Sequence, residues 1–135
     1  MSGLYSDTIK RLRSADVRPT RQRLALAKLL FGCSHRHVTA ESLHKEAVTS
    51  GVSISLATVY NTLHQFTKKG LLREIVVDSG RCYFDTNTKM HHHFFIENTN
   101  TLTDISADLV NVQGLPEPPD GATIKRIDVI VRIQK

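Results

Sequence analysis

Residues Ser55 to Leu72, SLATVYNTLHQFTKKGLL, carry the clearest periodicity in the chain. Leu56, Val59, Leu63 and Phe66 recur at three- and four-residue intervals, the spacing of one apolar helix face, with Ser55 as N-cap and Gly70 as stop. The opposite face offers Ala57, Thr58, Asn61 and Gln65, small or amide side chains where a solvated helix ordinarily carries Lys and Glu. Such a face suits close approach to another surface.

Upstream, three shorter helical patterns precede this one. The first covers Asp7 to Ala15 and stops before Pro19; the second, RQRLALAKLLF, is capped by Thr20 and closed by Gly32; the third starts at Thr39 in TAESLHKEAV. Downstream, LLREIVV and RCYFDT flank an Asp-Ser-Gly turn and predict a β-hairpin. Helices followed by such a hairpin make a winged helix, expected over residues 1–86. In the second half, HHHFFIEN and TLTDI predict strands, SADLVNVQ a short helix, GLPEPPDGA a loop, and IKRIDVIVRIQK a long last strand with Ile127, Val129, Val131 and Ile133 on one face. The predicted class is α+β: an N-terminal winged-helix DNA-binding domain, then a small α/β dimerisation domain over residues 87–135. A segment that short buries little core alone, so a two-fold homodimer is expected.

Charge is unevenly placed. Residues 1–85 hold 13 Lys and Arg against 7 Asp and Glu, whereas residues 86–135 hold 5 against 6. An excess of positive charge on a small domain is the footprint of a polyanion partner, although many basic domains never meet one. No stretch approaches the roughly 18 apolar residues of a membrane span, and the N-terminus has no signal-peptide pattern, so a cytoplasmic protein without a membrane partner is expected. Cys33 and Cys82 stand far apart, without a C-x-x-C pair, and read as free thiols.

RPTRQRLAL, HVTAESLH, the ATVYNTL core with its following GLL, and HHHFF together resemble the ferric uptake regulator family over nearly the whole chain. Within that family, the triple histidine followed by two aromatics and Glu-Asn, with no C-x-x-C pairs, is most similar to the iron response regulator branch, Irr. The resemblance implies a dimeric, iron- and haem-responsive transcription regulator, mainly a repressor of iron-uptake and haem-biosynthesis genes, on AT-rich palindromic operators. Sensing of zinc, manganese or peroxide is the alternative within the family. Neither cysteine is followed by proline, so a haem response would use the histidines or a haem-delivering partner protein. The implied inter-domain ligands are His92, His37 and Asp85, with Asp104 near another carboxylate position, for a divalent Fe, Mn or Zn ion. Phe94 replaces a histidine of that site, Arg132 replaces one of the other site, and Glu97 stands where the family carries a zinc-binding cysteine.

In the DNA reading, Ala57, Thr58 and Asn61 enter a major groove, where methyls meet thymine and the amide pairs with adenine, Tyr60 contacts a phosphate or base, and Ser55 is counted among the DNA-binding residues. Arg18, Thr20 and Arg23, with Arg73 or Arg81 on the wing, hold phosphates. If residues 91–95 are extended, His91 and His93 project to one face and His92 to the other, so the three cannot share one site. His91 and His93 can chelate a second cation, or one of them can serve a haem with a ligand from elsewhere. An enzyme is not expected, and no catalytic residue is assigned: H-E-x-x-H, a Gly-rich phosphate loop and a nucleophile elbow are all missing. A haem-binding interaction module is disfavoured by the amide-rich, carboxylate-free helix face.

Overall fold

The structure, a computed structural model, describes residues 2–78 and 80–135, with side chains from residue 6 onward. The chain divides into two compact units, Met1–Thr88 and Lys89–Lys135.

The first unit contains α1 (Ser2–Ser14), α2 (Arg21–Phe31), β1 (His37–Val38), α3 (Ala40–Thr49), α4 (Leu56–Lys68), β2 (Arg73–Asp78) and β3 (Arg81–Asp85). Each of the later helices starts on a hydroxyl that satisfies an orphan amide. Thr20 accepts from Arg23 N, Ser55 accepts from Thr58 N, and Thr39 forms a reciprocal pair with Ser42. Helix α2 ends at Gly32 because of space: a Cβ there would lie 2.5 Å from the Lys28 carbonyl oxygen. Gly70 ends α4 differently, with a left-handed φ of 83° that turns the chain into β2.

The core gathers Leu12, Leu26, Leu30, Leu43, Val59, Leu63 and Phe66 with Phe84 of β3, all fully buried. Leu56 was expected on this face, but as the first residue of α4 it lies ahead of the packed turns and is 39% exposed; Thr62 is buried in the helix instead. Leu72 is buried and Leu71 partly so. The sheet order is β1-β3-β2, antiparallel throughout. Strand β1 was not expected, because two residues are too few for any periodicity to show. The middle of the expected hairpin turn, Ser79, lies outside the described residues.

The second unit has β4 (His91–Ile96), β5 (Thr101–Ser106), a 3₁₀ turn (Ala107–Leu109) and β6 (Ile130–Ile133) in the order β5-β4-β6. Phe95, Leu102 and Ile105 are its buried apolar residues. Two expectations fail here. The helix over SADLVNVQ shrinks to one 3₁₀ turn, because Val110 is already extended and Leu109, 78% exposed, buries no face. The long last strand contracts to four residues, because backbone is held only where β4 runs beside it, in parallel register from His93↔Ile130 to Ile96↔Ile133.

Leu63→Ala is expected to lower the unfolding free energy by about 3 kcal/mol, since it removes a fully buried side chain from beneath α4. Urea unfolding followed by circular dichroism checks this.

Candidate functional site

Along α4, Ala57 and Asn61 are exposed and Thr58 is half-buried. Ser55 donates from Oγ to Thr58 Oγ1 at 2.9 Å, so these two hydroxyls are engaged with each other. Tyr60 is 37% exposed and stacks on His64, with ring centroids 5.3 Å apart and an interplanar angle of 26°. The Thr20 hydroxyl is spent on the α2 cap, and Arg23 Nη1 donates to the Arg18 carbonyl at 2.9 Å, which folds that guanidinium back over the turn. Arg18 is exposed. On the wing, Arg81 is exposed beside Asp78.

Arg73 is a correction. It is 5% exposed and pairs across the sheet with Asp85, and an arginine so enclosed cannot reach a phosphate. A groove missed by sequence reasoning runs along α4, with a volume near 1170 Å³ and Arg23, Asn61, Gln65, Lys68, Lys69 and Glu74 among its lining residues. Its parts come from α2, α4 and β2, so no single segment of sequence signals it.

The candidate ligands fall into two sets, one per unit. In the first, β1 and β3 pair His37 with Asp85, and His37 Nε2 lies 3.1 Å from Asp85 Oδ2. The other carboxylate oxygen of Asp85, itself 1% exposed, accepts from Asn87 N at 2.8 Å. The ligand is thus oriented by backbone.

In the second set, His91 and His93 share one face of β4, with ring centroids 4.5 Å apart. Both Nε2 atoms lie 3.5 Å from the same oxygen of Asp104. His91 Nδ1 is 2.7 Å from the Lys89 carbonyl, which can only accept, so Nδ1 carries a proton. Two imidazoles and a carboxylate, their ligand atoms all within 4.8 Å of one another, fit a divalent cation, and the backbone carbonyl is the outer partner such a ligand ordinarily has.

The grouping of Asp104 with His92 is therefore corrected. The register pairs His93 with Asp104 and His92 with Ile105, which puts the carboxylate on the face of His91 and His93. His92 Nδ1 accepts from Val129 N at 3.1 Å, a bond that fastens the segment before β6 onto β4. Strand register was the information needed, and a single strand does not display it.

Three lesser positions also differ from a bare surface. His44 is half-buried and meets the Ile54 carbonyl at 3.0 Å, bracing the entry to α4. Arg132 pairs with Glu97 at 3.0 Å and lies over the Phe95 ring, so a charge pair holds β6 to the end of β4. Burial, then the hydrogen bond and negative charge of Glu74, push the Cys82 thiol up to about 12.

A winged helix with a paired imidazole–carboxylate site fits the class of DNA-binding, metal-sensing transcription regulators. Residues 14–131 match the Ferric uptake regulator family, and the chain belongs to that family. The peroxide-responsive repressor PerR of Staphylococcus aureus is 33% identical over 105 residues, spanning 78% of this chain and 70% of that protein. Among solved structures, the Vibrio cholerae ferric uptake regulator aligns with a TM-score of 0.74 at 23% identity, over 94% of this chain and 98% of that one. The Pseudomonas aeruginosa ferric uptake regulator with manganese gives 0.69 at 23% identity, over 93% and 96%. These structural likenesses show the fold. Family members are DNA-binding dimeric regulators. Among the described residues, no helix is long and apolar enough to cross a membrane.

Because the folded chain holds the Cys82 thiol protonated above its usual 9.0, the stability it contributes is complete below about pH 9 and drains away as pH rises toward about 12. Cys82→Ala is expected to flatten that alkaline slope in pH-dependent melting curves. At neutral pH, iodoacetamide should label exposed Cys33 well ahead of Cys82, which peptide mass spectrometry checks.

Proposed function

We propose that the chain is a divalent-metal-dependent repressor that binds palindromic operators as a homodimer through α4, with metal occupancy setting operator affinity. The observation that carries this reading is the pair of imidazole Nε2 atoms 3.5 Å from one Asp104 oxygen, with His91 Nδ1 held by the Lys89 carbonyl. The proposal has one ion drawing on His91, His93 and Asp104 of the second unit; His37 and Asp85 are a separate candidate pair in the first. A bound cation would neutralise the Asp104 carboxylate, and in the proposal its binding and DNA binding are reciprocal. In the proposal Asn61 reads base edges, while Arg18, Arg23 and Arg81 hold phosphates without reading sequence.

The donor set is nitrogen and oxygen without thiolate, which suits iron(II), manganese(II) or zinc(II) and gives no advantage to a soft ion. Iron is the finer proposal, with iron-uptake and haem-biosynthesis genes as targets, and it rests on the resemblance of the HHHFF segment to the iron response regulator branch. Haem is the second reading. His91 and His93 come from the same face of one strand, so a haem would take one of them and an axial ligand from outside β4.

Operator selection from a random duplex pool, followed by anisotropy titrations with manganese, iron(II) or zinc, tests the proposal. The expected result is that metal tightens operator binding about tenfold or more, and that His93→Ala and Asp104→Asn abolish this gain while keeping metal-free affinity. A metal response that survives both His93→Ala and Asp104→Asn would overturn the site. In the same assay Asn61→Ala should relax base preference at one position per half-site, while Arg81→Ala weakens all duplexes alike and shallows the salt slope by about one unit.

A further inference from the structure

We infer that His64 is a positioning residue for duplex binding: one imidazole braces the Tyr60 ring and holds the Glu74 carboxylate back at the edge of the groove. The inference rests on α4 being the duplex-reading helix.

The groove along α4 is lined by three cations, Arg23, Lys68 and Lys69, and by a single carboxylate, Glu74. A polyanion drawn in by the cations would meet that carboxylate as a like charge. Glu74 belongs to β2. His64 approaches from α4, with Nδ1 3.6 Å from Oε2.

The same ring makes two further contacts. It stacks on Tyr60 one helical turn earlier, and it meets the buried ring of Phe84 edge-on, with centroids 5.4 Å apart at 85°. One side chain thus touches the helix face and both strands of the wing. The imidazole supplies a flat ring for Tyr60 and a nitrogen that faces the Glu74 carboxylate. Phenylalanine at this position would keep the stacking and give up the hold on the carboxylate, which makes the two roles separable.

The test uses the full chain with manganese and the selected operator, comparing wild type, His64→Phe, Glu74→Gln and the double variant by anisotropy, with thermal melts as a folding check. His64→Phe is expected to weaken binding about tenfold, because Glu74 is released toward the phosphates. Adding Glu74→Gln should restore affinity to within about twofold of Glu74→Gln alone, the non-additivity expected of residues acting on each other. A ring that serves packing only predicts no rescue. Wild-type affinity for His64→Phe, or a double variant as weak as His64→Phe, overturns the inference. If His64→Phe does not fold, His64→Ala with and without Glu74→Gln is read by the same criterion. Asn61→Ala separates this failure from that of the underlying reading: altered base preference in Asn61→Ala beside an inert His64→Phe sinks the positioning role alone, whereas no effect from either removes α4 from the interface.

Discussion

The pleat of β3 is the constraint on which the first unit depends. Phe84 and Asp85 are consecutive, so their side chains leave the strand on opposite faces. Phe84 enters the core with Leu63 and Phe66 of α4 and meets His64 edge-on, while Asp85 stands beside His37. The packing that sets the height of α4 and the carboxylate that offers itself to a cation are therefore fixed by one backbone segment. A displacement of that segment cannot alter one without the other. Interiors are dense enough that such a displacement is transmitted and not absorbed.

The helices were legible because their signals are local. Ser55, Thr39 and Thr20 each cap the helix that the apolar spacing predicts, and Val59, Leu63 and Phe66 are buried as that spacing requires. What stayed hidden was everything set by pairing between segments. Strand β1 exists because β3 offers it a partner; Asp104 joins His91 and His93 because of register; Arg73 is enclosed although its sequence neighbourhood reads as an exposed wing. The last strand was overread for the same reason, since alternation announces a capacity to pair and says nothing about where a partner ends. His91 and His93 were recognised as a same-face pair from the two-residue period, but the carboxylate between them came from another strand.

Polar groups divide between those that brace the backbone and those that converge as a candidate ligand set. Thr20 and His92 belong to the first kind: a hydroxyl capping α2, an imidazole accepting from Val129. Arg36 and Glu46 do likewise, tying the strand β1 approach to α3 through a charge pair that raises the Arg36 pKa. The Nε2 atoms of His91 and His93 belong to the second, gathered on an oxygen of a half-exposed aspartate. Residue type alone does not separate these roles; the hydrogen-bonding partner of each nitrogen does.

The turn joining β4 to β5 carries a consequence for how this sequence can drift. It closes through residues 97–100, with Asn100 at a left-handed φ of 53°. Side chains alternate, so gaining or losing one residue there would slide the pairing and bring His92 to the face that Asp104 looks toward, with Phe94 as its same-face neighbour in place of a second imidazole. Three adjacent histidines look like spare copies, yet they are not interchangeable. In this hairpin an indel in a surface turn, ordinarily the most forgiving kind of change, would be as damaging to the ligand set as replacing a histidine outright.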